Sequence, residues 1–225
     1  MKTIVITGPS GSGKSFLTNT LSKLFNNSIV IRTDSYYKDN LFIRFISIFL
    51  YDIYDRPFSI KKNEIMKTIK SIYNKDSIIS FYKYDFKRKN SLHSKISINY
   101  NECNQFLILE GIFAHRLDLN YQETINIVCE EQKELCFKRR LKRDLQERGR
   151  DRREVYKKFN KSWDLFNENI QSYLNNYKVM SINPLDMISY NKLVLKLKNK
   201  KITRKNNWFT SLSYFLILKF VVLTF

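Results

Sequence analysis

Glycine and proline are scarce, with five Gly and three Pro in 225 residues. Where glycine does cluster, the cluster carries information, and three of the five fall between Gly8 and Gly13. Cysteine is equally sparse. Cys103, Cys129 and Cys136 form no Cys-x-x-Cys pair and are odd in number. That argues against a disulfide framework or a zinc site and fits buried thiols in a reducing cytosol. Two histidines, His93 and His115, are too few to build a metal site, so each reads as a surface or packing residue. Acidic residues are outnumbered, 21 against 40 Lys and Arg, leaving a net charge of +19. Such a balance favours anionic partners such as nucleotides, nucleic acid or an acidic membrane. The abundance of Lys, Asn, Ile, Phe and Tyr fits equally well with a coding bias toward AT-rich codons. Long apolar runs are missing until Trp208. Lys2 precedes only Ile4-Val5-Ile6 before Gly8, too short for the apolar stretch of a signal peptide, so a cytoplasmic location is expected.

What remains suits one domain with a single core. The β-branched run Thr3 to Thr7 predicts a buried first strand, and an amphipathic helix follows from about Lys14 to Phe25. Ser28 to Thr33 is a second strand, and Leu41 to Tyr51 and Lys61 to Tyr73 read as helices. Ser77 to Tyr82 and Lys95 to Ile98 flank the polar segment Lys87 to Ser94, which suggests a β-hairpin. Gln105 to Leu109, Thr124 to Cys129 and Lys178 to Ile182 complete the strands. Helices are expected from Glu131 to Glu147, Arg153 to Asn175 and Met187 to Lys198. This alternation argues for an α/β fold, a parallel sheet with helices on both faces.

Gly8-Pro9-Ser10-Gly11-Ser12-Gly13-Lys14-Ser15 matches G-x-x-x-x-G-K-[ST] between a strand and a helix. Its glycines let backbone N–H groups wrap phosphates, and the helix start adds positive potential. Lys14 reaches the β/γ-phosphates and the Ser15 hydroxyl suits Mg²⁺. The motif specifies a nucleoside triphosphate, not a reaction. Asp34, at the carboxyl end of the second strand, is placed to take a proton from an attacking hydroxyl, or else to cap a turn. Glu110 ends an apolar strand, where a second Mg²⁺ anchor is expected in such folds; a solvated strand-end acid is the alternative. Arg140, Arg143 and Arg148 share a helix face or its end and suit a mobile lid over phosphates, or a solvated basic face or RNA patch.

Several blocks resemble the uridine kinase family, which is related to phosphoribulokinase. They are Asp34-Ser35-Tyr36-Tyr37-Lys38-Asp39, Tyr54-Asp55-Arg56-Pro57, Tyr84-Asp85-Phe86, Leu109-Glu110-Gly111-Ile112, and Arg139 to Asp144 continued by Glu147-Arg148-Gly149-Arg150-Asp151. Their order and spacing match from the phosphate loop to about residue 185. The resemblance implies that Gly8, Ser10, Gly11, Ser12, Gly13, Lys14 and Ser15 bind the phosphate donor. It makes Asp34 the general base and Ser15 and Glu110 the residues that hold Mg²⁺. Asp55 would bind ribose hydroxyls and Tyr84 the base. Arg140 and Arg150 would contact the nucleoside, and Arg143 and Arg148 the phosphates. Two positions depart from the pattern. Lys89 stands where the family has a base-reading His, and Lys158 where it has a Gln. The phosphate chemistry is untouched by these changes, whereas the identity of the acceptor is opened.

The expectation is therefore a P-loop NTPase-type kinase domain over residues 1–200, with a small hairpin and an Arg-rich lid. ATP or GTP would be the donor, Mg²⁺ the cofactor and a nucleoside 5′-hydroxyl the acceptor, uridine first. A kinase for another small alcohol, such as a sugar phosphate or pantothenate, is the alternative. So is a basic nucleotide-binding protein without turnover that docks on RNA or membrane. No nucleic acid partner is expected, and a homo-oligomer is left open. Residues 201–225 form a basic and then apolar tail. Trp208 to Phe225 is about the minimum length, near 18 residues, that spans a bilayer. Lys219 would lie within it at a cost of roughly 3 kcal/mol, so a docking helix or plain extension is favoured over an anchor.

Overall fold

The computed structural model describes residues 1–199, apart from residues 27, 50–52, 86–87, 89, 101–105 and 120–123. The tail 201–225 and Lys89 therefore lie outside the described residues. Five strands form one parallel sheet: β1 (Lys2–Thr7), β2 (Ile29–Arg32), β5 (Phe106–Glu110), β6 (Thr124–Cys129) and β7 (Val179–Ile182), in the order β2-β5-β1-β6-β7. The antiparallel pair β3 (Ile78–Asp85) and β4 (Asn90–Ser97) stands apart as a hairpin. The helices are α1 (Lys14–Leu24), α2 (Leu41–Phe49), α3 (Lys62–Tyr73), α4 (Lys133–Arg148), α5 (Arg152–Asn176) and α6 (Met187–Asn199).

The central strand explains why the sheet needs cover on both sides. Alternate residues of a strand face opposite ways. In β1, Ile4 and Ile6 join one core, with Leu17 and Leu21 of α1 and Leu193 and Leu197 of α6. Val5 joins the other, with Ile65 and Ile69 of α3 and Phe166 and Ile170 of α5. Strand β5 divides in the same way, Phe106 and Ile108 against Leu107 and Leu109. A strand with both faces buried is selected to be apolar throughout, which is why these runs stand out in the sequence.

The expected hairpin forms, but its second strand begins at Asn90 rather than Lys95. Residues Ser91 to Ser94 pair with Phe81 to Tyr84, where a turn was expected. The reason is exposure. From Leu92 to Ser97 the strand β4 is open to solvent, so no apolar alternation marks it. The second parallel strand also stops one residue early. Thr33–Ser35 forms a 3₁₀ turn, and this turn aims Asp34. Helix α2 leaves Leu41, Phe42, Phe45 and Phe49 largely exposed while burying Ile43. No helix among the described residues is long and apolar enough to cross a membrane.

Candidate active site

Because the five strands are parallel, their carboxyl ends share one edge, and the loops leaving β1, β2 and β5 meet there. Between them lies a cleft of about 260 Å³, lined by Ser10, Gly11, Gly13, Lys14, Ser15, Asp34, Tyr37, Glu110, Arg139, Arg140, Arg143 and Arg148 among others. Sequence positions far apart are thus gathered into one concave surface, half of whose lining residues are charged.

The loop from Gly8 to Gly13 has backbone angles that side chains rarely adopt, with φ of +90° at Gly11 and +88° at Gly13. A Cβ on Gly11 would lie 2.3 Å from the Cys136 carbonyl oxygen of α4, so the loop packs backbone to backbone. Lys14 is buried and donates from Nζ to the Pro9 carbonyl at 2.9 Å, folded back into its own loop. Arg139 braces the loop from the other side, donating to the Gly11 carbonyl at 3.0 Å and pairing with Glu131 at 3.0 Å.

Ser15 donates from its hydroxyl to Glu110 Oε1 at 3.2 Å, and Arg32 sits 3.5 Å from the other carboxylate oxygen. Burial pushes the Glu110 carboxyl above its ordinary range; Lys14 draws it back, Asp34 adds to the rise and Arg32 opposes it. The hydroxyl and carboxylate converge at the start of α1 as hard oxygen donors, the kind Mg²⁺ prefers, so these residues fit the ion the motif implies. Gly111 has a steric role. A Cβ there would fall 1.8 Å from Thr33 Oγ1 and 3.0 Å from Asp34 Oδ1, so only glycine lets the Asp34 turn nest against the end of β5.

Arg140, Arg143 and Arg148 descend from α4 onto the same cleft. Arg143 donates to Ser10 Oγ of the phosphate loop at 3.1 Å. All three, with Arg150, surround Asp144, which has no exposed surface. Gly149, with φ of +61°, ends α4, and its N–H closes back on the Asp144 carbonyl. Arg150 is not among the residues that line the cleft; it pairs with Asp144 at 2.8 Å and with Glu154 at 3.6 Å. Lys158 is placed elsewhere. It binds Glu154 at 2.7 Å and lines a separate depression with Arg152, Arg153 and Lys157.

Behind Tyr37, Tyr84 of β3 is buried in an aromatic trio. Its ring lies 5.4 Å from Tyr37 and 5.9 Å from Tyr54, and Tyr37 presents the trio to the cleft. Asp39 ties the hairpin to this wall, accepting from the Ser91 N–H at 2.8 Å and pairing with Lys61 at 2.8 Å. Asp55 lies in a short 3₁₀ turn between Tyr54 and Arg56, and its side chain is outside the described residues, as is all of Lys89.

The structure thus brings together Ser10, Gly11, Gly13, Lys14, Ser15, Asp34, Glu110, Arg140, Arg143 and Arg148, with Gly8 and Ser12 buried behind them. Sequence reading missed four contributors: Asp144, Arg139, Arg32 and the Tyr37–Tyr54 wall. Asp144 had a signal, since it lies four residues from both Arg140 and Arg148 and so shares their helix face.

A model described as the phosphoribulokinase / uridine kinase family matches residues 3–180. The chain is 30% identical over 165 residues to a uridine kinase of Haemophilus influenzae strain PittEE, covering 68% of this chain and 72% of that one. It is 31% identical over 159 residues to a uridine kinase of Staphylococcus haemolyticus strain JCSC1435, covering 69% and 74%. Among solved structures it is similar to the YGR205w protein, with a TM-score of 0.53 at 13% identity, covering 81% of this chain and 86% of that one. At that identity the likeness speaks to the fold alone.

Proposed function

The chain belongs to the phosphoribulokinase / uridine kinase family, and from that premise we propose that it transfers the γ-phosphoryl group of ATP or GTP to the 5′-hydroxyl of a pyrimidine nucleoside, uridine first. That it is a phosphotransferase acting on a hydroxyl group follows from the family. One observation carries the finer reading: Asp34 and Tyr37 face Lys14, Ser15, Glu110 and Arg143 across a single cleft.

Phosphoryl transfer asks mainly for positioning and for neutralised charge. The loop Gly8–Ser15 offers its N–H groups to the phosphates, and Lys14 leaves the Pro9 carbonyl to meet the β/γ-oxygens. Asp34, held at the cleft by the 3₁₀ turn, takes the proton of the incoming hydroxyl. Arg143 and Arg148 supply guanidinium forks to the equatorial oxygens. Ser15 and Glu110 would hold Mg²⁺, which when bound neutralises charge between the β- and γ-phosphates. Tyr37, backed by Tyr54 and Tyr84, would meet a nucleobase at the edge of the cleft, and Asp55 sits next to Tyr54 in sequence for the ribose. Lys89, with three donors and no acceptor, favours the 4-carbonyl of uracil over the 4-amino group of cytosine.

The deciding experiment incubates the full chain with Mg²⁺ and ATP against a panel of nucleosides, sugar phosphates and pantothenate, with products separated by chromatography. Uridine monophosphate as the main product is the expected result. Phosphorylation of another alcohol with no nucleoside turned over would overturn the acceptor assignment.

A further inference from the structure

Four guanidinium groups at the rim of the cleft share one carboxylate. Asp144 Oδ1 lies 3.2 Å from Arg143 Nε and 3.4 Å from Arg148, and Oδ2 lies 2.8 Å from Arg150 and 3.6 Å from Arg140 Nε. The group has no exposed surface, so water does not screen these pairs as it does on an open helix face. Its backbone is engaged as well. The Asp144 carbonyl accepts from the N–H of Arg150 at 3.3 Å and from that of Gly149. Side chain and main chain of one residue therefore fix the whole turn that carries Arg148 and Arg150.

The arginines bond to other groups as well. Arg140 has Ser162 as a further partner at 2.6 Å, Arg150 has Glu154, and Arg143 has Ser10. Of these only Glu154 is anionic, and it is shared with Lys158. Burial, with Arg143 close by, pulls the Arg148 guanidinium down to about 10. Burial alone would raise the Asp144 carboxyl, but Arg148, Arg143, Arg140 and Arg150 outweigh it and hold it low. Arg140, Arg143 and Arg148 also line the cleft beside the phosphate loop, where an incoming anion would meet them.

We propose that Asp144 is a positioning residue and an internal stand-in for phosphate: it holds Arg143 and Arg148 over the phosphate loop before the nucleotide arrives, and yields part of their hydrogen bonding to phosphate oxygens afterwards. Arg143 embodies the arrangement, with one edge on Asp144 and the other on Ser10 of the loop. The carboxylate does not touch the reacting atoms; it acts through the arginines. The inference rests on the proposed reading of the cleft as a triphosphate site, but not on the identity of the acceptor.

The test is Asp144→Asn, alone and combined with Arg148→Lys, with ATP as the probe. The amide keeps the shape, loses the charge and turns donors toward guanidinium donors. The expected result is a fall in kcat of roughly 10²-fold, the cost of losing an oriented oxyanion donor. The dissociation constant for ATP does not rise and falls by up to about threefold, because the loop and Lys14 still hold the nucleotide and the arginines are no longer shared with a carboxylate. In the double variant kcat falls no further than in the worse single one, the mark of residues acting as a unit. Additive losses, or equal losses in affinity and rate, would overturn the proposal. Thermal melts give a second readout. With Asp144 neutral, ATP should raise the melting temperature of the variant more than that of the parent, since a bound anion replaces the missing one. A variant that gains no more than the parent, or stays unfolded at saturating ATP, refutes the inference. Failure of the parent on every nucleoside would instead unseat the acceptor reading, and leave the ATP melts and affinities to judge Asp144.

Discussion

The two halves of the cleft are built on different principles. On the phosphate side, the loop Gly8–Ser15 packs against α4 backbone to backbone, Lys14 and Glu110 are buried, and Asp144 gathers four arginines. Positions there are fixed by main-chain geometry and by charges gathered on one buried carboxylate. On the acceptor side, three tyrosines meet edge to face, and a hairpin with one exposed strand hangs from Asp39. Packing among rings tolerates substitution far better than a glycine turn does. One half is therefore constrained to a short vocabulary of residues, and in the proposed reading the other is free to change the molecule it accepts.

The sharpest way to break this contrast is Asp34→Asn, at the boundary of the halves. The shape is kept and the base removed, so kcat should fall roughly 10²–10⁴-fold. ATP affinity, measured by equilibrium dialysis, should stay as in the parent, because the phosphate half is intact. Near-full turnover would mean that Asp34 is not the base.

A second test probes the floor beneath the phosphate half. His115 is buried against Phe113, Phe166 and Tyr173, and its Nδ1 lies 3.0 Å from Thr7 Oγ1, one residue before the loop. Burial, with the Arg116 charge beside it, pulls the imidazole down to about 4. The neutral form is thus the one that folds, while the unfolded chain takes up a proton near the ordinary value of 6.5. This contribution is complete above pH 6.5 and is lost as pH falls toward 4, on the order of 3 kcal/mol over the window. Urea titrations from pH 7.5 to 4.5 should show the decline, and His115→Gln should flatten it. An equally steep decline in the variant would assign it to the carboxylates.

The acceptor half should answer more mildly. Tyr84→Leu removes one ring of the trio and should raise KM for the nucleoside about tenfold, in line with the loss of ring contacts worth roughly 1 kcal/mol and some area. KM for ATP should move less than twofold. If both rise together, the halves are mechanically coupled and the comparison fails. The smallest effect is expected at Lys89. The parent should prefer uridine to cytidine in kcat/KM, and Lys89→His should narrow that ratio severalfold. An unchanged ratio would remove Lys89 from base recognition.

The same contrast governs what could be read from the chain. The strands β1, β5 and β6 were legible because both their faces are buried, and the phosphate loop because its conformation demands glycine where few residues qualify. Glu110 and Asp34 were legible from their place at strand ends, which a parallel sheet turns toward ligand. Strand β4 was not, since Leu92 to Ser97 face solvent and leave no alternation. The Asp144 hub was visible only as a spacing, and its weight depends on burial, which spacing does not report. Lys158 was assigned to the acceptor by resemblance, yet α5 carries it to a separate depression beside Glu154.

The strand order also sets the timetable on which this chain can fold. Strand β1 leaves the ribosome well before the strands it pairs with: Ile4 pairs with Ile108 on one side and with Ile125 on the other. At about 5–20 residues per second, roughly five to twenty seconds of synthesis separate the first strand from its nearest neighbour. Throughout that interval Ile4, Val5 and Ile6, which end up fully or almost fully buried, have no sheet to join. Closing so long a loop is slow, and an apolar strand left waiting is a target for wrong partners. The hairpin β3–β4 and helix α3 have near neighbours in sequence and can form first. The hairpin scaffold would then precede the phosphate loop, whose entering strand β1 must wait for residues beyond 105.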